Sequence, residues 1–506
     1  SNAFLSEQEV MIRESARRVA EEVVAVTAAQ RDQSGKWPHA EIQSVAELGF
    51  MGMLAPQTHG GAGLSFVEYC LAIEEFAVAD GGFATMMHVH NSSAHVLCNF
   101  GTEEQKAQHL PGLASAKNIG AFLLSEPHAG SDTASIRTSA KRDGEYYVIN
   151  GSKQWISNGS EAGFAFVVAA TGEPGSRNRF SLFIVDPKDP GYQVLRIENK
   201  LGQHTAHTAQ IQLDNLRVPV GNQVGEEGRG YAKALSLLSD GRIAIAALAI
   251  GVARAALEAA IRYAKDREAY GKPISALQAV SFDLADMAMQ VEVARQYMIY
   301  AARRRDAGLP SDKEASIAKL YASEMAEKVC SAAIQVHGGY GYVSDFPVER
   351  YYRDVLTVNN YQAEYPGNEL VYFSNYAAQE QRINDLTIQK WSKDNQPLYF
   401  LRARFAKNKP GTDQWELTDY YEKDYAFPKA KLIHGQHKDT TFKYRIEEMA
   451  QRDNAAQALT FTELTAAIQR EKLKGSKLVP DFEIELHQRT AFPFATYILT
   501  IIGVSV

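Results

Sequence analysis

The stretch QVHGGYGYVSDFPVERYYRD, residues 335–354, runs straight into VLTVNNYQAEYPGNELVYF, residues 355–373, and the chain changes character between the two. Upstream lie RGYAKALSLLSDGRIAIAALAIGVARAALEAAIRYAKDR, ISALQAVSFDLADMAMQVEVARQYMIYAARRRDAG and DKEASIAKLYASEMAEKVCSAAIQVHG, with apolar residues recurring at helical spacing. Each is long enough for a helix of a bundle, and Gly, Pro and Asp separate them. Downstream, ELVYFSNYA, INDLTIQKW, PLYFLRARFAK, QWELTDYYEK and KLIHGQHKDTTFKYRI are short, polar, aromatic-rich runs spaced by turns such as Lys409-Pro410-Gly411. Such runs predict a β-meander or jelly roll. Two differently built parts therefore adjoin near residue 358.

Working back toward the start, residues 6–116 read as helical: SEQEVMIRESARRVAEEVVAV puts Val10, Ile12, Val19, Val23 and Val24 near one face, and Ser6 with Glu9 forms a capping box. From Asn118 to Asn222 the period becomes two. EYYVINGSKQWI, GFAFVVAATG, RFSLFIVDP and TAQIQLDNLRVP are strand candidates between Gly, Asn, Asp and Pro, as in an antiparallel barrel or sandwich. The expected architecture is multidomain α+β: a helical domain over 1–116, a β domain over 117–224 and a helical bundle over 225–358. A jelly-roll-like β segment over 359–448 follows, then a short helical stretch and an apolar run over 449–506.

Composition sets limits. With 506 residues, 45% of them hydrophobic, and a net charge of −7, the chain has ample material for cores and no basic block for nucleic acid. Cys70, Cys98 and Cys330 are too few and too scattered for a disulfide framework, which fits a reducing, cytoplasmic setting. Ser1-Asn2-Ala3 resembles a tag-cleavage remnant, and no signal peptide is expected. The closing run AFPFATYILTIIGVSV is shorter than a bilayer span and reads as the start of a membrane helix, the only membrane contact expected. His88/His90 and His204/His207 have spacings that suit zinc but lack companion ligands, so no metal is expected. Neither a Walker loop nor a GxGxxG is present.

Two motifs carry the chemistry. SEPHAGSD, residues 125–132, precedes INGSKQWISNG, residues 149–159, by about twenty positions. Singly, each is a turn-rich β segment; together, in a β domain between two helical ones, they resemble the flavin site of the acyl-CoA dehydrogenase family. REAYGKPISALQ, residues 267–278, with Lys272-Pro273 at a helix start, and QVHGGYGY, residues 335–342, match the same family. The resemblance covers about residues 4–358 and implies FAD. Phe122, Leu124, Ser125, Gly130, Ser131, Trp155 and Ser157 then surround the isoalloxazine. Arg267, Tyr270, Gln278, Gln335, Val336, Gly338 and Gly339 contact the dinucleotide of a neighbouring protomer, so a homodimer or homotetramer is implied. Ser131 and Arg242 are expected beside the acyl-CoA, although Arg242 also reads as a helix-surface charge. The implied activity, in fatty-acid metabolism, is oxidation of an acyl-CoA thioester to a trans-2-enoyl-CoA, with an electron-transfer flavoprotein as acceptor.

The family's base, a Glu eight residues beyond the YRD aspartate, falls at Gln362, and the alternative position used by a subset of members holds Gly241. A Gln amide accepts no proton, so the expected acceptor is Glu364, two residues further on. The competing reading is a flavin- and acyl-CoA-binding protein without dehydrogenation. Residues 359–506 carry a second resemblance, through TFTELTAAIQREKLKG and FEIELHQRTAFPFATYILTIIGV, to the lipopolysaccharide-export permeases of the bacterial envelope. An envelope transport component is the reading for that tail, and the chain then joins pieces of two unrelated proteins.

Overall fold

Ser6 opens the first helix, α1 (Glu7–Val19), with the reciprocal capping bonds its sequence predicts: Glu9 N donates to Ser6 Oγ at 3.2 Å and Ser6 N to Glu9 Oε2 at 2.8 Å. In this computed structural model the described residues are 5–355, except 131, 174–175 and 177–178, and, beyond 360, the strands that end at Thr441. The chain divides after residue 359 into two units, each described by itself.

In the first unit α1 is followed by α2 (Ala28–Ser34), α3 (His39–Glu47), α4 (Phe66–Ala79), α5 (Gly81–Phe100) and α6 (Glu103–Ala114). Almost every residue of α4 is buried, so it needs cover on all sides. The cover comes from both ends of the unit: α4 and α5 share one apolar core with α7 (Gly230–Asp266), α8 (Gln278–Asp306) and α9 (Asp312–His337), including Phe76, Met87, Ile250, Val291 and Met325. The helical domains read separately from the sequence thus pack around a common centre. Glu74 and Glu75 of α4 enter it only in company. Arg295 and Arg254 pair with them at a helix–helix seam, as buried carboxylates require.

Between the helical parts lies a seven-stranded sheet: β1 (Ile119–Leu123), β2 (Ser139–Asp143), β3 (Tyr146–Ser157), β4 (Ala162–Ala170), β5 (Phe180–Val185), β6 (Tyr192–Ile197) and β7 (Thr208–Pro219). The order is β1-β4-β2-β3-β7-β6, with β5 also on β4. Most pairs are antiparallel as expected, but β1 and β2 run parallel to β4. The apolar run of β4 is explained by burial on both faces: Phe164, Phe166 and Val168 join one core, and Ala165, Val167 and Ala169 the other.

One local expectation is corrected. Lys272-Pro273 does not start α8; it forms β9 (Lys272–Pro273), paired with β8 (Glu268–Ala269), Pro273 leads into a single 3-10 turn (Ile274–Ala276), and α8 begins only at Gln278. Tyr270 and Gly271 between the strands have φ of 56° and 75°, the left-handed pair of a type I′ hairpin turn. The unit closes with α10 (Val348–Val355).

The second unit is an antiparallel meander. Its strands are β10 (Tyr361–Tyr365), β11 (Glu369–Phe373), β12 (Asn375–Ala377), β13 (Arg382–Trp391), β14 (Pro397–Asn408), β15 (Gln414–Asp424) and β16 (Lys431–Thr441), of which β11 to β16 match the runs read from the sequence. Leu386, Ile388, Leu401, Ala403, Trp415 and Leu417 form its core. The helical stretch and apolar run expected over 449–506 lie outside the described residues.

Candidate active site

The two β-domain motifs meet through one buried ion pair. Lys153, on β3, is fully buried, and its ammonium donates to Glu126 Oε1 at 2.9 Å, Leu124 O at 3.0 Å and Val168 O at 2.9 Å, which uses all three protons. Glu126, in the SEPHAGSD loop, also accepts from the amides of Arg137 at 2.7 Å and Thr138 at 3.0 Å. Burial works against its ionisation, but Lys153 and these donors outweigh that and hold the carboxyl below its ordinary range. Gln154 N donates to Ser125 O at 2.9 Å, so the loop is also stitched to the strand next to Lys153. Sequence reasoning passed over Glu126 and Lys153; their signal is that Lys153 is the one charge in its strand motif and Glu126 a carboxylate in the loop that precedes it.

The brace presents Trp155. Between Lys153 and Ile156 the register of β3 against β7 slips by one residue, a β-bulge, and Trp155 sits in it with φ 63°. A bulky side chain in left-handed backbone costs roughly 1–2 kcal/mol, and such strain concentrates at functional sites. Gln154 below it is held by Glu198, which Arg196 grips in turn. Trp155 and Ser157 are half-buried, as is Ser125; Leu124 is buried. Phe122, on β1, has its ring 6.0 Å from that of Phe166. Gly130 is exposed, and Ser131 lies outside the described residues.

A second group gathers at the ends of α7 and α9. Tyr263 in the last turn of α7 stacks on His337, the last residue of α9, with centroids 4.3 Å apart. The residues that follow, Arg267 after α7 and Gly338 after α9, are thereby brought to one region. Arg267, Gln278, Gln335, Gly338 and Gly339 are exposed, Tyr270 is 92% exposed, and Val336 packs against the core. Added Cβ atoms at Gly130, Gly338 and Gly339 would meet nothing within 4 Å. For Gly130 and Gly339 neither packing nor a positive φ calls for glycine, so an open backbone surface is what these residues provide. Arg242 is exposed on α7.

Three of the four paired histidines have both ring nitrogens engaged within the protein. His90 bonds Leu113 O and the Gly120 amide, His204 bonds Asp32 and Lys200 O, and His207 bonds Glu161 and Gly35 O. Asp354, the YRD aspartate, is buried and accepts the Gln203 amide proton, while Gln203 Nε2 donates to Asp354 O at 2.8 Å. Gly202 makes this approach possible: a Cβ there would lie 2.3 Å from Arg353 O. Gln362 and Glu364 fall in β10, opposite Tyr372 and Leu370 of β11, within the second unit rather than in a turn of the first.

Family models for the N-terminal, middle and C-terminal domains of acyl-CoA dehydrogenases match residues 6–117, 121–216 and 228–362. A probable acyl-CoA dehydrogenase of Bacillus subtilis is 43% identical over 355 residues, 70% of this chain and 93% of that one. The mitochondrial short-chain specific acyl-CoA dehydrogenase of Bos taurus is 39% identical over 359 residues, 71% of this chain and 87% of its own. The structure of butyryl-CoA dehydrogenase from Megasphaera elsdenii superposes with TM-score 0.68 at 37% identity, covering 69% of this chain and 93% of that one. The chain belongs to the acyl-CoA dehydrogenase family. Residues 353–506 match a different model, the lipopolysaccharide export system permease LptF/LptG. The C-terminal dehydrogenase model and the permease model overlap over residues 353–362, so the join between the two parts lies there.

Proposed function

We propose that the first unit binds FAD and an acyl-CoA thioester and oxidises the thioester to a trans-2-enoyl-CoA. The strained, bulged Trp155 carries this reading, because the chain spends backbone energy to present an aromatic face beside the Ser125 loop. The cofactor is FAD, which supplies a two-electron acceptor for the hydride leaving the β-carbon. Phe122, Leu124, Ser125, Gly130, Ser131, Trp155 and Ser157 hold its ring end and exclude water there. Arg267, Tyr270, Gln278, Gln335, Val336, Gly338 and Gly339 hold the dinucleotide of a neighbouring protomer in a homodimer or homotetramer, which the exposure of all but Val336 supports. Ser131 and Arg242 border the acyl-CoA, and an electron-transfer flavoprotein takes the electrons onward. Cytoplasmic placement goes with this part and not with the permease-like tail.

The α-proton needs an acceptor, and on this reading it is the Glu364 carboxylate. A second reading, binding of FAD and acyl-CoA without oxidation, is favoured by Gln362 and Gly241 at the two family base positions and by the strand pairing of residue 364. The visible spectrum of the purified chain, followed by anaerobic addition of acyl-CoAs of graded length, separates them. Bleaching that Glu364→Gln abolishes supports the first reading; flavin that stays oxidised overturns it for the second. A colourless protein sinks both.

A further inference from the structure

His88 of α5 faces Gly241 of α7, and the absence of a side chain at 241 leaves a recess beside the imidazole. A Cβ at Gly241 would meet only the imidazole, Nε2 at 3.6 Å and Cε1 at 3.8 Å, among the described residues. The ring is only 8% exposed and is fixed from behind: Nδ1 bonds the hydroxyl of the buried Tyr69 at 2.8 Å, with Ser92 Oγ at 3.4 Å. His90, two residues on, uses both of its nitrogens within the protein, Nε2 on Leu113 O and Nδ1 on the Gly120 amide. Among the described residues Nε2 of His88 has no hydrogen-bond partner. Desolvation pushes the imidazole down to about 4, so it stays neutral near pH 7 and acts by hydrogen bonding rather than by charge.

We propose that His88 is a specificity-determining residue whose Nε2 forms the polar end of the acyl cavity beside Gly241 and selects acyl-CoAs bearing a hydroxyl or oxo group on the acyl chain. The inference rests on the proposed function, in which Arg242, the neighbour of Gly241, borders the acyl-CoA. A plain hydrocarbon chain filling the recess strips water from Nε2 and returns no bond, whereas an oxygen-bearing chain replaces the lost water. A site arranged to hydrogen-bond its ligand discriminates against the analogue that lacks the group. Glycine at 241 leaves the room this needs: a larger side chain there would enter the recess against the imidazole.

The test is calorimetric titration of the FAD-loaded full chain with acyl-CoA pairs of equal length, one plain and one hydroxylated, the hydroxyl being moved along the chain. Binding is read directly, so no turnover is required. The expected result is about tenfold tighter binding of one hydroxylated isomer than of its plain counterpart, a preference removed in His88→Phe and kept in part by His88→Gln. Equal affinities across every pair overturn the assignment while leaving acyl-CoA binding intact. A preference that persists in both variants also overturns it. If neither ester of any pair binds although flavin is retained, the inference and the acyl-CoA reading fall together.

Discussion

Asp354 shows how much a single side chain at the edge of the join can carry. Burial, with Asp80 nearby, raises its carboxyl to about 7, against the pull of the Gln203 amide and Arg350. A group whose folded pKa lies above its unfolded value stabilises the fold below the unfolded value and loses that contribution as pH rises through the folded one. Stability from Asp354 is therefore present near pH 4 and gone above pH 7. Relative to Asp354→Asn, the native chain should lose roughly 1 kcal/mol per pH unit across that window, read as diverging denaturant midpoints; parallel midpoints would show an ordinary carboxylate. Little of this was legible in the sequence. YRD stood out as a motif, but its partner Gln203 is 151 residues away and only Gly202 permits the approach. Glu126 and Lys153 were missed for the same reason, since a charge in a strand motif reads as a solvated one until its partner is placed. Trp155 could be picked out from its motif, whereas the bulge that turns it depends on pairing with β7.

Among the elements, the β8–β9 hairpin is where local preference and its observed sequence disagree. A type I′ turn favours Asn or Gly at its first central position, yet this one has Tyr270, held at φ 56° with its ring in solvent. Tyr270→Asn should leave the melting temperature unchanged or raise it, the relief being worth about 1 kcal/mol. At the same time the flavin-to-protein ratio and the sedimentation mass should fall, if the ring serves a neighbouring protomer. Unchanged mass and flavin content would reduce Tyr270 to a turn residue. The long helices and the meander strands were readable because their periodicity is sustained over many residues. The hairpin was not, because two-residue strands leave no period, and Lys272-Pro273 imitates a helix start. Nor does periodicity reveal that α4 is shared between helical domains at opposite ends of the unit; that follows from packing around it.

At the scale of the molecule, separate cores predict separate unfolding. The apolar cluster around α4 and α7 and that of β13–β15 have no residue in common, so scanning calorimetry of the full chain should show two transitions, flavin absorbance changing with only one. A single transition tracked by both signals would mean that the two parts fold as one cooperative body. The outermost strands of the meander among those described, β10 and β16, each pair on one side only, and open edges invite pairing with other chains. Tethered to a first unit that assembled as proposed, those edges would meet at an effective concentration near millimolar, set by the tether rather than by the solution. Dilution would then do little to prevent edge-to-edge association, while any change that keeps the dehydrogenase part monomeric would suppress it.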